Sequence, residues 1–165
     1  SRYAYFLAPD GMPRMLDGRG DFLPDATNQA LKYLSQNEKG FFLMVEGSQI
    51  DWGGHANDSE YLTTEMLDFQ KAIKVALEFA EKEGNTLVIV TADHETGGFT
   101  LSSTPTQMEG GMVGSDYDKI TPTFSTSGHS ATLIPVFSFG PGSEDFGGVY
   151  ENTKIFDKMR KATGW

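Results

Sequence analysis

Two unbroken apolar runs joined by one long amphipathic stretch leave this chain few ways to fold. Residues 41–45 read FFLMV and residues 86–91 read TLVIVT. Neither run alternates polar with apolar residues, the pattern of a strand covered on both faces. Between them Leu62, Met66, Phe69, Ile73, Leu77 and Ala80 recur at intervals of three and four, one face of a helix over residues 60–83. Gly84 and Asn85 end that helix, just after Lys82 near its carbonyl end. Strand, helix, strand in this order is a βαβ unit, which predicts parallel strands and a right-handed crossover. The expected fold class is therefore α/β, a mostly parallel sheet flanked by helices.

The remaining elements are shorter. Residues 3–8 suit a short strand, followed by the turn chemistry of Pro9-Asp10-Gly11. Arg14, Asp17, Arg19 and Asp21 read as a solvated charged loop. A first helix is expected over 26–37, with Asp25 as N-cap and Ala30, Leu31 and Leu34 as its apolar stripe. Residues 47–58 hold three glycines and read as a loop. In it Gly53 and Gly54, both poor helix formers, argue against a stable helix. Residues 102–128, rich in Gly, Ser, Thr and Pro, read as a variable surface excursion, mobile around 108–115. Residues 132–139 suit a third strand, with Pro135 placing it at an edge or a bulge. Residues 140–148 read as a loop. A last helix is expected over 153–162, capped by Asn152, with Ile155, Phe156 and Met159 facing inward. At 165 residues the whole is a single domain.

The polar residues that follow the apolar runs are of one chemical kind. Glu46, Asp51 and His55 come after the first run, Asp93 and His94 after the second, and His129 stands in a later Gly-His-Ser. The chain has three histidines and all three fall in these groups. Open parallel sheets bind ligands beyond the carboxyl ends of their strands, which would gather these groups at one rim. Carboxylates with imidazoles and no thiolates suit zinc or a similar divalent ion, and a carboxylate with water or hydroxyl ligands suits magnesium. Taken singly, each histidine is more often a core or capping residue, and Glu46 can simply cap the loop that follows it. Their joint position at strand ends is what points to a metal site.

Composition removes several alternatives. A net charge of −10 disfavours nucleic acid and anionic membrane as partners. With no cysteine there are no thiolate metal sites, redox motifs or disulfides. No apolar run reaches the roughly 18 residues of a membrane span. The first residues carry no signal-peptide pattern, and Ser1 reads as a cleavage or truncation boundary.

Three motifs in order, FFLMVEGSQIDWGGH, GNTLVIVTADHETGG and SGHSATLIPVFSFGPG, closely resemble the C-terminal half of bacterial alkaline phosphatases. The similarity extends to GMPRMLDGRGDFLPDATNQALKYLSQN and to GVYENTKIFDKM, leaving 102–120 as the poorly matched part. The resemblance implies an alkaline-phosphatase-like fold, present here as its C-terminal portion and therefore incomplete. It implies two zinc ions and one magnesium in the intact enzyme. Asp51, His55 and His129 would hold the first zinc, Asp93 and His94 would be ligands of the second, and Glu46 would be a magnesium ligand. Trp52 stands where other members carry Lys or His near the phosphate. The family's nucleophilic serine lies in an Asp-Ser-Ala motif that this sequence lacks, and neither Ser48 nor Ser130 sits in such a motif. Hydrolysis of phosphate monoesters through a phosphoserine is thus expected of the intact enzyme, and inactivity of this chain alone. The expected partners are the substrate, the missing N-terminal half and, as the family allows, a second copy. A periplasmic or secreted location is expected from the family alone. The rival readings are another hydrolase of the same superfamily (phosphodiesterase, sulfatase or phosphoglycerate mutase) and a non-catalytic metal-binding module.

Overall fold

A computed structural model describes residues 4–164. Its elements are α1 (Phe22–Leu34), α2 (Gln49–His55), α3 (Ser59–Glu83), β1 (Val88–Val90), β2 (Glu95–Thr96), β3 (Thr100–Gln107), β4 (Val113–Thr123), β5 (His129–Ser130), β6 (Phe137–Phe139) and α4 (Lys154–Thr163). Single 3-10 turns at Met15–Asp17 and Ser143–Phe146 brace the two ends.

The long helix forms where its periodicity places it. Asp58 caps α3 by accepting from the N–H groups of Glu60 and Tyr61, both at 3.0 Å. Gly84 ends it with φ at 80°, a left-handed conformation that suits glycine. α1 and α2 both pack on α3. The small core consists of Leu31, Tyr61, Ala72, Ala80 and Phe146.

α3 also hides a second seam that hydropathy alone does not reveal. Tyr61, Glu65, Asp68 and Ala72 are buried, whereas Met66 of the predicted apolar stripe is 47% exposed. Glu65 and Asp68 receive Arg19, whose side chain is only 7% exposed. The charged loop around Arg19 is therefore not simply solvated. Its guanidinium bridges two buried carboxylates, and the Glu65 carboxylate also accepts the Met15 N–H at 2.8 Å.

α1 begins earlier than expected, at Phe22 after Asp21, and ends at Leu34. Pro24 lies inside its first turn, where N–H groups have no intrahelical partner and proline costs nothing. Thr153, not Asn152, stands at the N-terminal boundary of α4, without a side-chain capping hydrogen bond, and Phe156 is 58% exposed.

The strand pairings depart from the βαβ expectation while the α/β class stands. Residues 41–45 carry no ladder: Phe41, Leu43 and Val45 are half-buried, and Phe42 and Met44 are exposed. Phe41 meets Phe79 of α3 edge-on at 6.2 Å. β1 pairs with β6 and antiparallel to it, in register Val88↔Phe139 to Val90↔Phe137. Among the described residues every ladder is a two-stranded antiparallel pair, β1–β6, β2–β5 and β3–β4. A run that is apolar throughout predicts two covered faces, and within this chain only one face of residues 41–45 is covered. Residues 4–8 form no strand, and the start of that predicted element lies outside the described residues.

The predicted excursion is a long hairpin. β3 and β4 pair from Thr100↔Thr123 to Gln107↔Val113, with a register shift between Ser103 and Thr104. Hydroxyls meet across it, Thr100 with Thr123 at 2.6 Å and Thr104 with Thr121 at 2.8 Å. Threonine-rich sequence looks loop-like by polarity, but β-branching favours the extended chain.

Candidate metal centre

α2 is the first departure that matters for the site, because residues 49–55 were expected to be loop. Its glycines serve contact rather than flexibility. A Cβ on Gly53 would lie 2.7 Å from the Leu62 backbone nitrogen, and one on Gly54 would lie 2.7 Å from the Thr96 carbonyl oxygen. Only glycine lets α2 press on α3 and β2 together, and that packing outweighs its weak helix propensity. The helix turns Asp51 and His55, four residues apart, onto one face.

The chain then returns twice to that face. β2 and β5 pair Glu95↔Ser130 and Thr96↔His129, which sets His129 beside the end of α2. Gly97 organises the loop before His129. Its N–H donates to the Gly128 carbonyl at 2.9 Å, and its carbonyl accepts from Ser125 and Thr126 at 3.0 and 3.2 Å. Its φ of 93° is a conformation open to glycine. The side-chain amide of Asn57 donates to the carbonyls of Gly54 at 2.9 Å and Thr126 at 2.8 Å, tying α2 to the same loop.

Asp51, His55 and His129 meet as a result, with one ligand-type atom from each lying within 4.8 Å of the others. His55 Nε2 is 3.3 Å from His129 Nε2 and 3.4 Å from an Asp51 oxygen, and His129 Nε2 is 3.8 Å from the other Asp51 oxygen. His55 Nδ1 lies 2.6 Å from the Ser127 carbonyl oxygen. A carbonyl only accepts, so Nδ1 carries the proton and Nε2 offers a bare lone pair to the cluster.

His94 adjoins this group. Its ring stacks on His129 with centroids 3.5 Å apart, and its Nδ1 is 3.1 Å from the Thr96 hydroxyl. That hydroxyl also reaches Asp51 at 2.5 Å. Asp93 is 87% exposed, with an oxygen 3.4 Å from His94 Nε2. Glu46 is exposed and joins none of these contacts within this chain. Trp52 is 52% exposed and faces Gly11 across α2.

Three supporting residues carried no signal of their own in the sequence: Thr96, Ser127 through its carbonyl, and Glu95. Glu95 accepts from the Ser130 hydroxyl and from the N–H groups of Gly98 and Phe99, at 3.1 and 3.0 Å. Burial pushes its carboxyl up, but these donors and the nearby His129 outweigh that and hold it below the usual carboxylate range.

An α/β chain whose helix end and strand-end loops gather a carboxylate and imidazoles into one donor set has the makings of a metal-centre protein. The comparisons name the family. The alkaline phosphatase family model matches residues 5–119. Alkaline phosphatase 3 of Bacillus subtilis is 33% identical over 94% of this chain and 47% of its own length. Alkaline phosphatase 4 of the same organism is 36% identical over 89% of this chain and 45% of its own length. Among solved structures, a histidine-to-glutamate variant of the alkaline phosphatase from the Antarctic bacterium TAB5, with magnesium bound in its M3 site, superposes with a TM-score of 0.90. It is 60% identical, over 96% of this chain and 46% of that one. The chain belongs to the alkaline phosphatase family, as its three motifs imply, and has that family's fold. It spans about half the length of the curated relatives it matches first. No helix among the described residues is long and apolar enough to cross a membrane.

Proposed function

We propose that this chain carries the metal-binding rim of a phosphate monoesterase, with Asp51, His55 and His129 as a zinc site. One observation carries the reading: the separations within that trio. Two donors about 2.0–2.1 Å from a zinc ion at a tetrahedral angle lie about 3.3–3.4 Å from each other. The two Nε2 atoms lie 3.3 Å apart, and His55 lies 3.4 Å from Asp51. Two imidazole nitrogens facing each other this closely need a shared cation or proton between them. Asp93 and His94 are the proposed ligands of a second zinc, their donor atoms 3.4 Å apart, and Glu46 is the proposed magnesium ligand. When bound, such ions stabilise charge on the phosphoryl and leaving oxygens and make a coordinated hydroxyl or water a nucleophile near neutral pH.

The chain's own residues prepare that chemistry. The Ser127 carbonyl holds the His55 proton on Nδ1, and Asp51 sets one oxygen toward each histidine. The carboxylates of Asp51 and Asp93 offset part of the cationic charge, and the remainder attracts a phosphate dianion. The nucleophilic serine, and with it the phosphoserine intermediate, is assigned to polypeptide beyond these 165 residues, because no Asp-Ser-Ala occurs here.

Surface area supports a larger partner. A self-contained monomer of 18.1 kDa exposes about 8,100 Å², whereas this chain exposes 11927 Å². The excess includes exposed apolar side chains, Phe42, Met44, Leu133 and Phe137 among them. We assign that surface to the rest of the same protein, in a periplasmic or secreted setting. The direct test is zinc calorimetry on this chain and on His129→Ala. One tight site, lost in the variant, supports the assignment; equal binding by both chains removes it. A phosphatase assay with zinc and magnesium added should give no serious turnover from this chain alone. Robust activity abolished by His94→Ala would overturn the division of labour between the two halves.

A further inference from the structure

The ladder that brings His129 to α2 is too short to hold itself. β2 and β5 have two residues each, pairing Glu95 with Ser130 and Thr96 with His129. A two-stranded ladder on its own is marginal in water. A slip of one residue would carry His129 to the other face. The Gly97 N–H adds one bond to the Gly128 carbonyl at 2.9 Å. Three further bonds come from one side chain.

That side chain is Glu95. One of its oxygens accepts from the Ser130 hydroxyl and from the Gly98 N–H at 3.1 Å, and the other accepts from the Phe99 N–H at 3.0 Å. The two N–H groups are consecutive and come with φ of 93° at Gly97 and 57° at Gly98, a turn that aims successive N–H groups at one point. Ser130 lies 35 residues further along the chain and is the neighbour of His129. Alternation sends Glu95 and Ser130 to one face of the ladder and Thr96 and His129 to the other. Glu95 therefore works from behind the donor group. Both its oxygens are occupied by this chain's own donors, so it holds rather than ligates.

We propose that Glu95 is a positioning residue for His129. Its carboxylate clasps β5 and the 97–99 loop together, fixes the β2–β5 register, and so sets the His129 ring beside that of His55. The two ring centroids lie 5.1 Å apart and the two Nε2 atoms 3.3 Å apart. The same clasp bears on His94, which adjoins Glu95 in the chain and stacks on His129. The clasp needs no ion to form, and its bearing on zinc rests on the metal-site reading.

Glu95→Ala removes every acceptor at once. Glu95→Gln keeps one oxygen and sets an amide N–H against a donor at the other. With metal stripped by a chelator, nuclear Overhauser contacts between the His55 and His129 rings should be present in the parent and lost in Glu95→Ala. Zinc affinity should fall about 10- to 100-fold in Glu95→Ala, the usual cost of removing a partner behind a ligand, and by less in Glu95→Gln. Formate is a carboxylate without a tether. Added to Glu95→Ala, it should restore the ring contacts and most of the zinc affinity, and it should leave the parent and Glu95→Gln unchanged. A general loss of stability would not separate the three chains in this way.

Ring contacts and zinc affinity that Glu95→Ala shares with the parent overturn the proposal and leave the metal site standing. Losses that formate does not repair overturn it too, since they assign the effect to packing. A parent that binds no zinc, yet loses its ring contacts in Glu95→Ala and regains them with formate, overturns the metal reading and keeps the clasp. If Glu95→Ala fails to fold, Ser130→Ala decides, because it cuts only the bond across to β5. Parental ring contacts and zinc affinity in Ser130→Ala overturn the proposal.

Discussion

At the scale of single residues, the glycine pair of α2 shows how neighbours override intrinsic preference. Gly53 and Gly54 read as helix breakers, yet they form a helical turn because a Cβ on either would collide with backbone. Gly54→Ala should therefore force α2 away from β2. Overpacking of this kind costs about 1–3 kcal/mol, readable as a lower midpoint in urea. Because α2 carries Asp51 and His55, zinc affinity should fall as well. A variant that keeps parental stability and zinc affinity would show that α2 and β2 can separate freely. The ligand-type residues themselves were legible because their chemistry is written in their identity. Thr96 was not, since a threonine after a strand has many ordinary uses and its two partners lie 45 and 2 residues away.

At the scale of elements, α3 is held from two sides by different forces. Its apolar positions take α1 and residues 41–45, while Glu65 and Asp68 take Arg19 in a nearly dry setting. Removing one partner of a buried ion pair leaves uncompensated charge and costs about 3–5 kcal/mol. Arg19→Met should show a loss of that order by chemical denaturation, since two buried carboxylates then face each other. A change under 1 kcal/mol would mean that the seam opens to water without cost. α4 depends on an exposed contact instead. Lys161 hydrogen-bonds Asp145 at 2.8 Å, and that bond, with the Coulomb attraction of Lys161, holds the Asp145 carboxyl below its ordinary 3.8. A lowered folded-state value means that the contact contributes above the unfolded value and is lost as pH falls through the folded one. In Asp145→Asn the acid limb of helix loss, followed by circular dichroism below about pH 4, should flatten slightly. An unchanged limb would exclude this contact from acid unfolding. Periodicity made α3 readable to within a residue at its start and at its end. Strand pairing was not readable, because an apolar run states that faces are covered without saying by what. The β3–β4 hairpin was missed for the opposite reason: threonine hydroxyls look like loop until they meet across a ladder.

At the scale of the molecule, a thin core and a large surface would make a bound metal a substantial share of stability. Among the described residues the buried apolar set is five, while the proposed metal rim joins α2, β2 and β5, elements otherwise linked by glycine contacts and short ladders. An ion held by Asp51, His55 and His129 binds the folded chain in preference to the unfolded one, where these residues are far apart. At a hundred times the dissociation constant, such a ligand adds about 2.7 kcal/mol. For a chain of this length that corresponds to a rise in Tm of roughly 5–10 °C. The expected result is a zinc-dependent rise of that size, reversed by a chelator and absent in His129→Ala. His129 lies on a two-residue strand whose ladder uses backbone atoms, so the substitution should leave the metal-free Tm close to the parent's. A chain whose Tm ignores zinc would place the cost of assembling the rim above what the ion returns. The surface excess then becomes decisive, because the contacts that organise the rim would have to come from polypeptide packed against the apolar side chains of residues 41–45 and β6.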